Sequence, residues 1–117
     1  MDIKIQPMGE YQTNCYIVTI DNKDIIIDPG VDSTSWILQN TNNPIVILNT
    51  HGHFDHVWDN KKIKDELKLD IYCPSEDAFM LEDDPFGQGT PSSKADHLVK
   101  PNETISIENI DIKFLHF

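Results

Sequence analysis

The sequence predicts a single domain of the α+β class, over residues 1–117, in which a mixed β-sheet is flanked by helices. Three observations predict this class. Short strand-like runs rich in isoleucine and valine recur along the chain, segments with helical spacing separate some of them, and two alternating segments near the C-terminus flank a two-residue turn. A chain of 117 residues is also too short for two domains of ordinary size.

The first half of the chain is predicted to form four strands and one short helix. Ile3 and Ile5 alternate with polar residues until Pro7 and Gly9 break the first strand. The continuous apolar run at 45–48 is typical of a strand covered on both faces. The other elements are expected at 15–20 and 25–27 as strands, with a turn at 21–24 and a helix over 36–38 capped by Ser33.

The second half is predicted to form two helices, one further strand and a hairpin. Ile63 and Leu67 lie four residues apart, which favours a helix over 57–67 with its lysines outward. The remaining elements are expected as a strand at 70–74, a helix over 78–81 capped by Ser75, a loop at 83–96, and a hairpin of 104–107 and 110–114 around Glu108-Asn109.

Composition excludes several classes of function. A net charge of −11 disfavours nucleic-acid binding, because such a surface repels phosphates. No run of 18 apolar residues is present, so no membrane-spanning segment is expected, and the N-terminus lacks the pattern of a secretory signal. Cys15 and Cys73 are too few for a disulfide framework and lack metal-ligand spacing. Two buried free thiols in a cytoplasmic protein are therefore expected.

Three of the five histidines and one aspartate fall within the six residues 51–56. His51 and His53 are two apart, so both imidazoles can reach one ion, and the intervening glycine does not block that approach. Asp55 and His56 follow at a helix start, where they can face a second position. Solvent-exposed histidines and a helix-capping aspartate would explain each residue separately but not their clustering. Imidazole nitrogen and carboxylate oxygen are zinc-type ligands, so the segment predicts a metal site.

The cluster has the form H-x-H-x-D-H and resembles the signature of the metallo-β-lactamase superfamily. The segments TNCYIV, IIIDPG, ILNTHGHFDHV and YCPSEDAFML resemble the glyoxalase II-like (hydroxyacylglutathione hydrolase-like) branch. The resemblance implies an αββα sandwich with two metal ions, usually zinc and sometimes iron. It implies that His51 and His53 bind the first metal, and Asp55 and His56 the second. Asp28 would either orient a metal ligand or simply form the Asp-Pro-Gly turn.

The family completes its site with ligands further downstream, from a segment like HTPGHT and from a later aspartate and histidine. His116 resembles the first, non-ligating histidine of that segment. The sequence thus resembles the N-terminal half of the sandwich, apparently truncated at the C-terminus. We expect the open sheet face to be exposed. We also expect the chain by itself to be weakly metallated and inactive unless a partner chain completes it.

The resemblance implies a metal-dependent hydrolase of thioesters or related acyl compounds, acting through a metal-bound hydroxide. Asp55 would be the catalytic residue that orients this nucleophile or takes its proton. One alternative is a mononuclear iron dioxygenase acting on glutathione persulfide. Another is an inactive fragment that keeps its histidines as ordinary polar residues. The expected partners are a small-molecule substrate and a second copy in a homo-oligomer, with neither nucleic acid nor membrane.

Overall fold

The computed structural model describes residues 1–115, so the prediction for His116 lies outside the described residues. Eight strands and four helices occur within this range. The strands are β1 (Asp2–Met8), β2 (Thr13–Ile20), β3 (Lys23–Ile27), β4 (Pro44–Leu48), β5 (Ile71–Pro74), β6 (His97–Val99), β7 (Thr104–Ile107) and β8 (Ile110–Lys113). The helices are α1 (Thr34–Asn40), α2 (Phe54–Val57), α3 (Asn60–Leu67) and α4 (Phe79–Asp83). None of these helices is long and apolar enough to cross a membrane.

Strands β1 to β6 form one mixed sheet in chain order. The first three strands are antiparallel neighbours, and β3, β4, β5 and β6 then run parallel to one another. Strands β7 and β8 form a separate antiparallel hairpin. The predicted mixed sheet with flanking helices is therefore confirmed. Because β3 to β6 are parallel, their carboxyl ends lie at the same edge of the sheet.

The two faces of the sheet pack against different elements. Neighbouring residues of a strand point to opposite faces, so Ile26 is buried on the helix side and Ile25 on the hairpin side. The helix side packs strand residues against Ile37, Val57 and Ile63 from α1, α2 and α3. The hairpin side is covered by β7 and β8. Strands β3 and β4 are thus covered on both faces, as the continuous apolar run at 45–48 predicted for β4.

The hairpin covers only the middle of its side of the sheet. Ile110 of β8 is 6% exposed and packs with Ile25 and Val46. Ile3 and Ile5, on the edge strand β1, remain 50% and 54% exposed. The expected open face is therefore found at the β1 edge, whereas the hairpin closes the centre.

The helix predicted over 57–67 is wrong in its bounds, because two helices, α2 and α3, meet at an interruption. Asp59 leaves helical geometry at this point, and its backbone N–H donates to the Pro29 carbonyl at 3.0 Å. Its buried carboxylate accepts hydrogen bonds from the Thr34 N–H at 3.0 Å and the Thr34 hydroxyl at 2.8 Å. These hydrogen bonds connect the start of α3 to the start of α1. They satisfy the polar groups of Asp59, so the helix is interrupted there.

Three smaller predictions also need correction, and one strand was missed. The Ser33 hydroxyl donates back to the Gly30 carbonyl at 2.8 Å and does not cap α1, and Ser75 lies in a turn before α4. Pro7 remains within β1, where an edge strand tolerates a missing N–H. Strand β6 was not predicted. The hairpin turn is confirmed, because Glu108 and Asn109 both have the positive φ angles of a type I′ turn.

Candidate metal centre

The histidine cluster lies at the carboxyl edge of the parallel strands. Ile27 of β3 pairs with Leu48 of β4, so the residues that follow these two strands emerge side by side. The Asp28 N–H donates to the Leu48 carbonyl at 3.0 Å, which holds the two strand ends together. The segment 50–56 therefore meets Asp28 at the edge where parallel α/β sheets usually bind ligands.

Gly52 allows the loop between His51 and His53 to pack tightly. Its N–H donates to Asp77 Oδ2 at 2.9 Å. A Cβ at this position would lie 2.6 Å from the Asp77 carbonyl oxygen and 3.0 Å from Met80 Cβ. Only glycine fits this approach, so the loop carrying the two histidines is held against the turn before α4.

The three histidine rings of the cluster converge. The ring centroids of His51 and His56 are 3.9 Å apart, and those of His51 and His53 are 4.5 Å apart. Burial and the neighbouring His56 lower the pKa of His51, although Asp28 acts in the opposite sense. The lowered pKa favours the neutral imidazole of His51, which is the form that binds a metal ion.

Asp28 contacts His56 of the cluster, whereas the turn that follows β3 lies at 31–32. Asp28 adopts a positive φ of 54° at the end of β3 and is only 2% exposed. Its carboxylate accepts hydrogen bonds from the Thr50 N–H at 2.8 Å and the Thr50 hydroxyl at 2.6 Å. Asp28 Oδ2 also lies 3.1 Å from His56 Nδ1. A histidine that donates from Nδ1 to a carboxylate presents Nε2 as its lone-pair nitrogen, as metal-binding histidines commonly do.

Asp55 faces the other nitrogen of the same ring. Asp55 Oδ2 lies 3.6 Å from His56 Nε2 and accepts a hydrogen bond from the Thr13 hydroxyl at 2.5 Å. Two ligands of one tetrahedral zinc ion are separated by about 3.4 Å, given metal–ligand bonds of about 2.1 Å. The Asp55–His56 pair therefore has the spacing of two ligands of one ion.

Among the described residues, Asp28, His51 and His56 can each offer a ligand atom within 4.8 Å of the others. This trio does not follow the two pairs implied by the resemblance. Asp28 Oδ2 lies 3.1 Å from His56 Nδ1, which accounts for the presence of Asp28 in the trio. The more exposed His53 lies with its ring 5.5 Å from that of Phe86. The imidazole and carboxylate donors fit zinc or iron.

A cavity of about 460 Å³ opens beside His51. Its lining includes the acidic Glu76 and Asp77, and also Lys100 and Phe114. Its volume is within the range of small-molecule sites. His51, one of the candidate metal ligands, therefore borders a space in which a small substrate fits.

The sequence matches the metallo-beta-lactamase superfamily over residues 8–116. Over 89 residues it is 36% identical to protein ML0493 of Mycobacterium leprae, an alignment that covers 71% of this chain and 41% of that protein. It is also 36% identical over 87 residues to the hydroxyacylglutathione hydrolase GloC of Haemophilus influenzae, covering 70% of this chain and 41% of GloC. The crystal structure of the B3 metallo-beta-lactamase BLEG-1 superposes with a TM-score of 0.83 and 27% identity, over 96% of this chain and 59% of BLEG-1.

The chain belongs to the metallo-β-lactamase superfamily, whose members are metallo-hydrolases. Its mixed sheet and flanking helices correspond to the N-terminal portion of that fold. The chain spans about two fifths of the length of the two relatives named above.

Proposed function

We propose that the protein is a metal-dependent hydrolase of small acyl compounds, with thioesters as the substrate class. The observation that carries this proposal is the 3.6 Å separation of Asp55 Oδ2 and His56 Nε2 beside the converging His51 and His53 rings. A divalent metal bound there would lower the pKa of a water molecule and polarise the substrate carbonyl. Zinc is the proposed metal, with two ions as the complement implied by the resemblance.

The side chains divide this work between binding and orientation. His51, His53 and His56 bind metal through neutral imidazole, and Asp28 orients the His56 ring through the contact with Nδ1. Asp55 provides a carboxylate beside His56 that is suited to hold the nucleophilic water or to accept its proton. Asp55 is therefore the proposed catalytic residue.

The substrate class is supported by the likeness to GloC and by the cavity beside His51. Glu76 and Asp77 in the cavity lining favour a substrate without negative charge next to them, whereas Lys100 provides one cationic group in the same lining. A small-molecule substrate and a cytoplasmic location are part of the same proposal. The latter is supported by the buried free thiols of Cys15 and Cys73.

The test compares the purified protein with two histidine variants. We expect the protein, assayed in excess zinc and in the assembly in which a partner chain completes the site, to release thiol from an S-acyl thioester. His51→Ala should lose at least about 100-fold in rate, because it removes a metal ligand. His97→Ala is the matched control, because the exposed His97 lies on β6, where it contacts Asp70, the residue before β5, and stacks on Tyr72 of β5. Equal rates in all three proteins would refute the proposal. Oxygen consumption by iron-loaded protein, without thioester hydrolysis, would favour the persulfide dioxygenase.

A further inference from the structure

We propose that Thr13 is a positioning residue that holds the Asp55 carboxylate in the orientation required for metal binding. The inference rests on the proposed function, because it concerns a metal ligand of that site. The Thr13 hydroxyl donates to Asp55 Oδ2 at 2.5 Å across 42 residues of sequence. Thr13 is 6% exposed, so water does not compete freely for this hydrogen bond.

The hydrogen bond joins strand β2, which is held in the sheet, to the four-residue helix α2. Thr13 is the first residue of β2 and pairs with Met8 of β1, so the sheet fixes its backbone. A threonine side chain is also restricted at χ1, which gives its hydroxyl a defined direction. Asp55 lies in α2, which has four residues and no side-chain cap. The sheet therefore supplies the orientation that such a short helix cannot supply to its own side chain.

The same hydrogen bond sets the distance between Asp55 and His56. One lone pair of Oδ2 is used by Thr13, and the other remains for an ion. Without the hydroxyl, the carboxylate is free to rotate away from its position 3.6 Å from His56 Nε2, the lone-pair nitrogen of that ring. The two ligand atoms would then no longer face the same ion. Thr13 thus maintains the spacing between two candidate ligands.

Strand β2 contains a matched control for a purely structural role. The Thr19 hydroxyl donates to Asp24 Oδ1, also at 2.5 Å. Asp24 is 3% exposed and accepts further hydrogen bonds from the Asn42 and Asn43 N–H groups, at the opposite end of the strand from Thr13. Thr13 and Thr19 therefore lie on the same strand, and each hydroxyl donates to an aspartate carboxylate at 2.5 Å. Only Thr13 contacts the candidate metal site.

The experiment compares Thr13→Val, Thr13→Ser and Thr19→Val with the wild-type protein. Zinc affinity is measured by competition with a chromophoric chelator, and the Co²⁺ absorption spectrum reports ligand geometry. Unfolding by urea after metal removal gives the stability of each variant. We expect Thr13→Val to weaken zinc binding about 10- to 100-fold, as loss of a group that orients a metal ligand does. Thr13→Ser should restore most of the affinity, and Thr19→Val should lose stability while its affinity stays unchanged.

An unchanged zinc affinity and Co²⁺ spectrum in Thr13→Val would overturn the inference, while leaving the proposed function intact if the wild-type protein binds zinc. An equal loss of affinity in Thr19→Val would also overturn it, because the effect would then follow stability. If Thr13→Val does not fold, Thr13→Ala repeats the comparison with the same expected loss. Failure of the wild-type protein to bind zinc would overturn the proposed function and this inference together.

Discussion

The residues of the site differ in how far the sequence alone could identify them. The histidines and Asp55 fall within 51–56, so their spacing predicted a shared site. Thr13 donates to Asp55 across 42 residues, and Asp28 contacts His56 across 28 residues. Only the pairing of the strands brings these groups together. The sequence therefore indicated the candidate ligands and, through the resemblance, a role for Asp28, but no local pattern marked Thr13.

Gly52 is the residue at which packing and metal binding are most directly coupled. We expect Gly52→Ala to cost about 1–3 kcal/mol of stability, because its Cβ would lie 2.6 Å from the Asp77 carbonyl oxygen. We also expect zinc affinity to fall, because the shift separates His51 from His53. Urea unfolding of the metal-free protein and chelator competition measure the two effects.

Gly87→Ala is the control for this prediction. Gly87 has a φ of 62°, but an added Cβ would meet no other atom within 4 Å, so alanine there costs about 1–2 kcal/mol through backbone strain alone. We expect its zinc affinity to match that of the wild-type protein. Equal zinc affinities in Gly52→Ala and Gly87→Ala would show that the close packing of Gly52 does not support the metal site.

The two cysteines give a prediction about pH. Burial, with a smaller contribution from nearby carboxylates, raises the pKa of Cys15 and of Cys73 to about 12. Because the folded state holds these protons more tightly than the unfolded state, their contribution to stability is present below about pH 9 and is lost as the pH rises toward 12. Urea unfolding between about pH 8 and about pH 10.5 should show this decline.

The cysteine prediction has a matched variant and a second measurement. The Cys15→Ala, Cys73→Ala double variant should show a smaller decline in stability above about pH 9, although it starts from a lower value. Iodoacetamide should label the native protein at about pH 8 far more slowly than the urea-unfolded protein, because only the thiolate reacts. Rapid labelling of the native protein would contradict the burial of these thiols.

At the scale of the elements, alternation and apolar runs predicted strands well because burial on one or two faces shapes their sequence directly. Strand β3 and the final hairpin were recognised in this way. The first strand was expected to stop at Pro7, yet it continues because β1 is an edge strand whose missing N–H needs no partner. Proline usually ends a strand, as we expected from the sequence. Whether Pro7 does so depends on the position of β1 in the sheet, and at an edge it does not.

The break between α2 and α3 and the strand β6 could not be predicted from local patterns. The break depends on hydrogen bonds from Asp59 to Thr34 and Pro29, which are distant in sequence. Strand β6 has three residues, too few to show alternation, and exists because β5 offers it an unpaired edge. The break matters for the site, because it leaves α2 as the separate four-residue helix that carries Asp55 and His56.

At the scale of the whole molecule, the part of the sheet that carries the site is covered on both of its faces. The helices bury one face and the hairpin buries the centre of the other, so β3 and β4 are the most enclosed strands. Their ends carry Asp28 and the histidine loop. The candidate ligands therefore extend from the most rigid part of the molecule, as a metal site requires. Metal binding and global stability should consequently be linked.

This linkage gives the final prediction. An ion that binds only the folded state stabilises it by about 2.7 kcal/mol when its free concentration is about 100 times Kd. We expect zinc to raise the urea midpoint of the wild-type protein and of His97→Ala, and to have little effect on a His51→Ala, His56→Ala double variant. Since 51–56 provides four ligands for two metal positions, we also expect the 117-residue chain to lose its zinc readily on dialysis. Two zinc ions retained per chain after dialysis would contradict the expected weak binding, and equal stabilisation of the double variant would exclude these histidines as ligands.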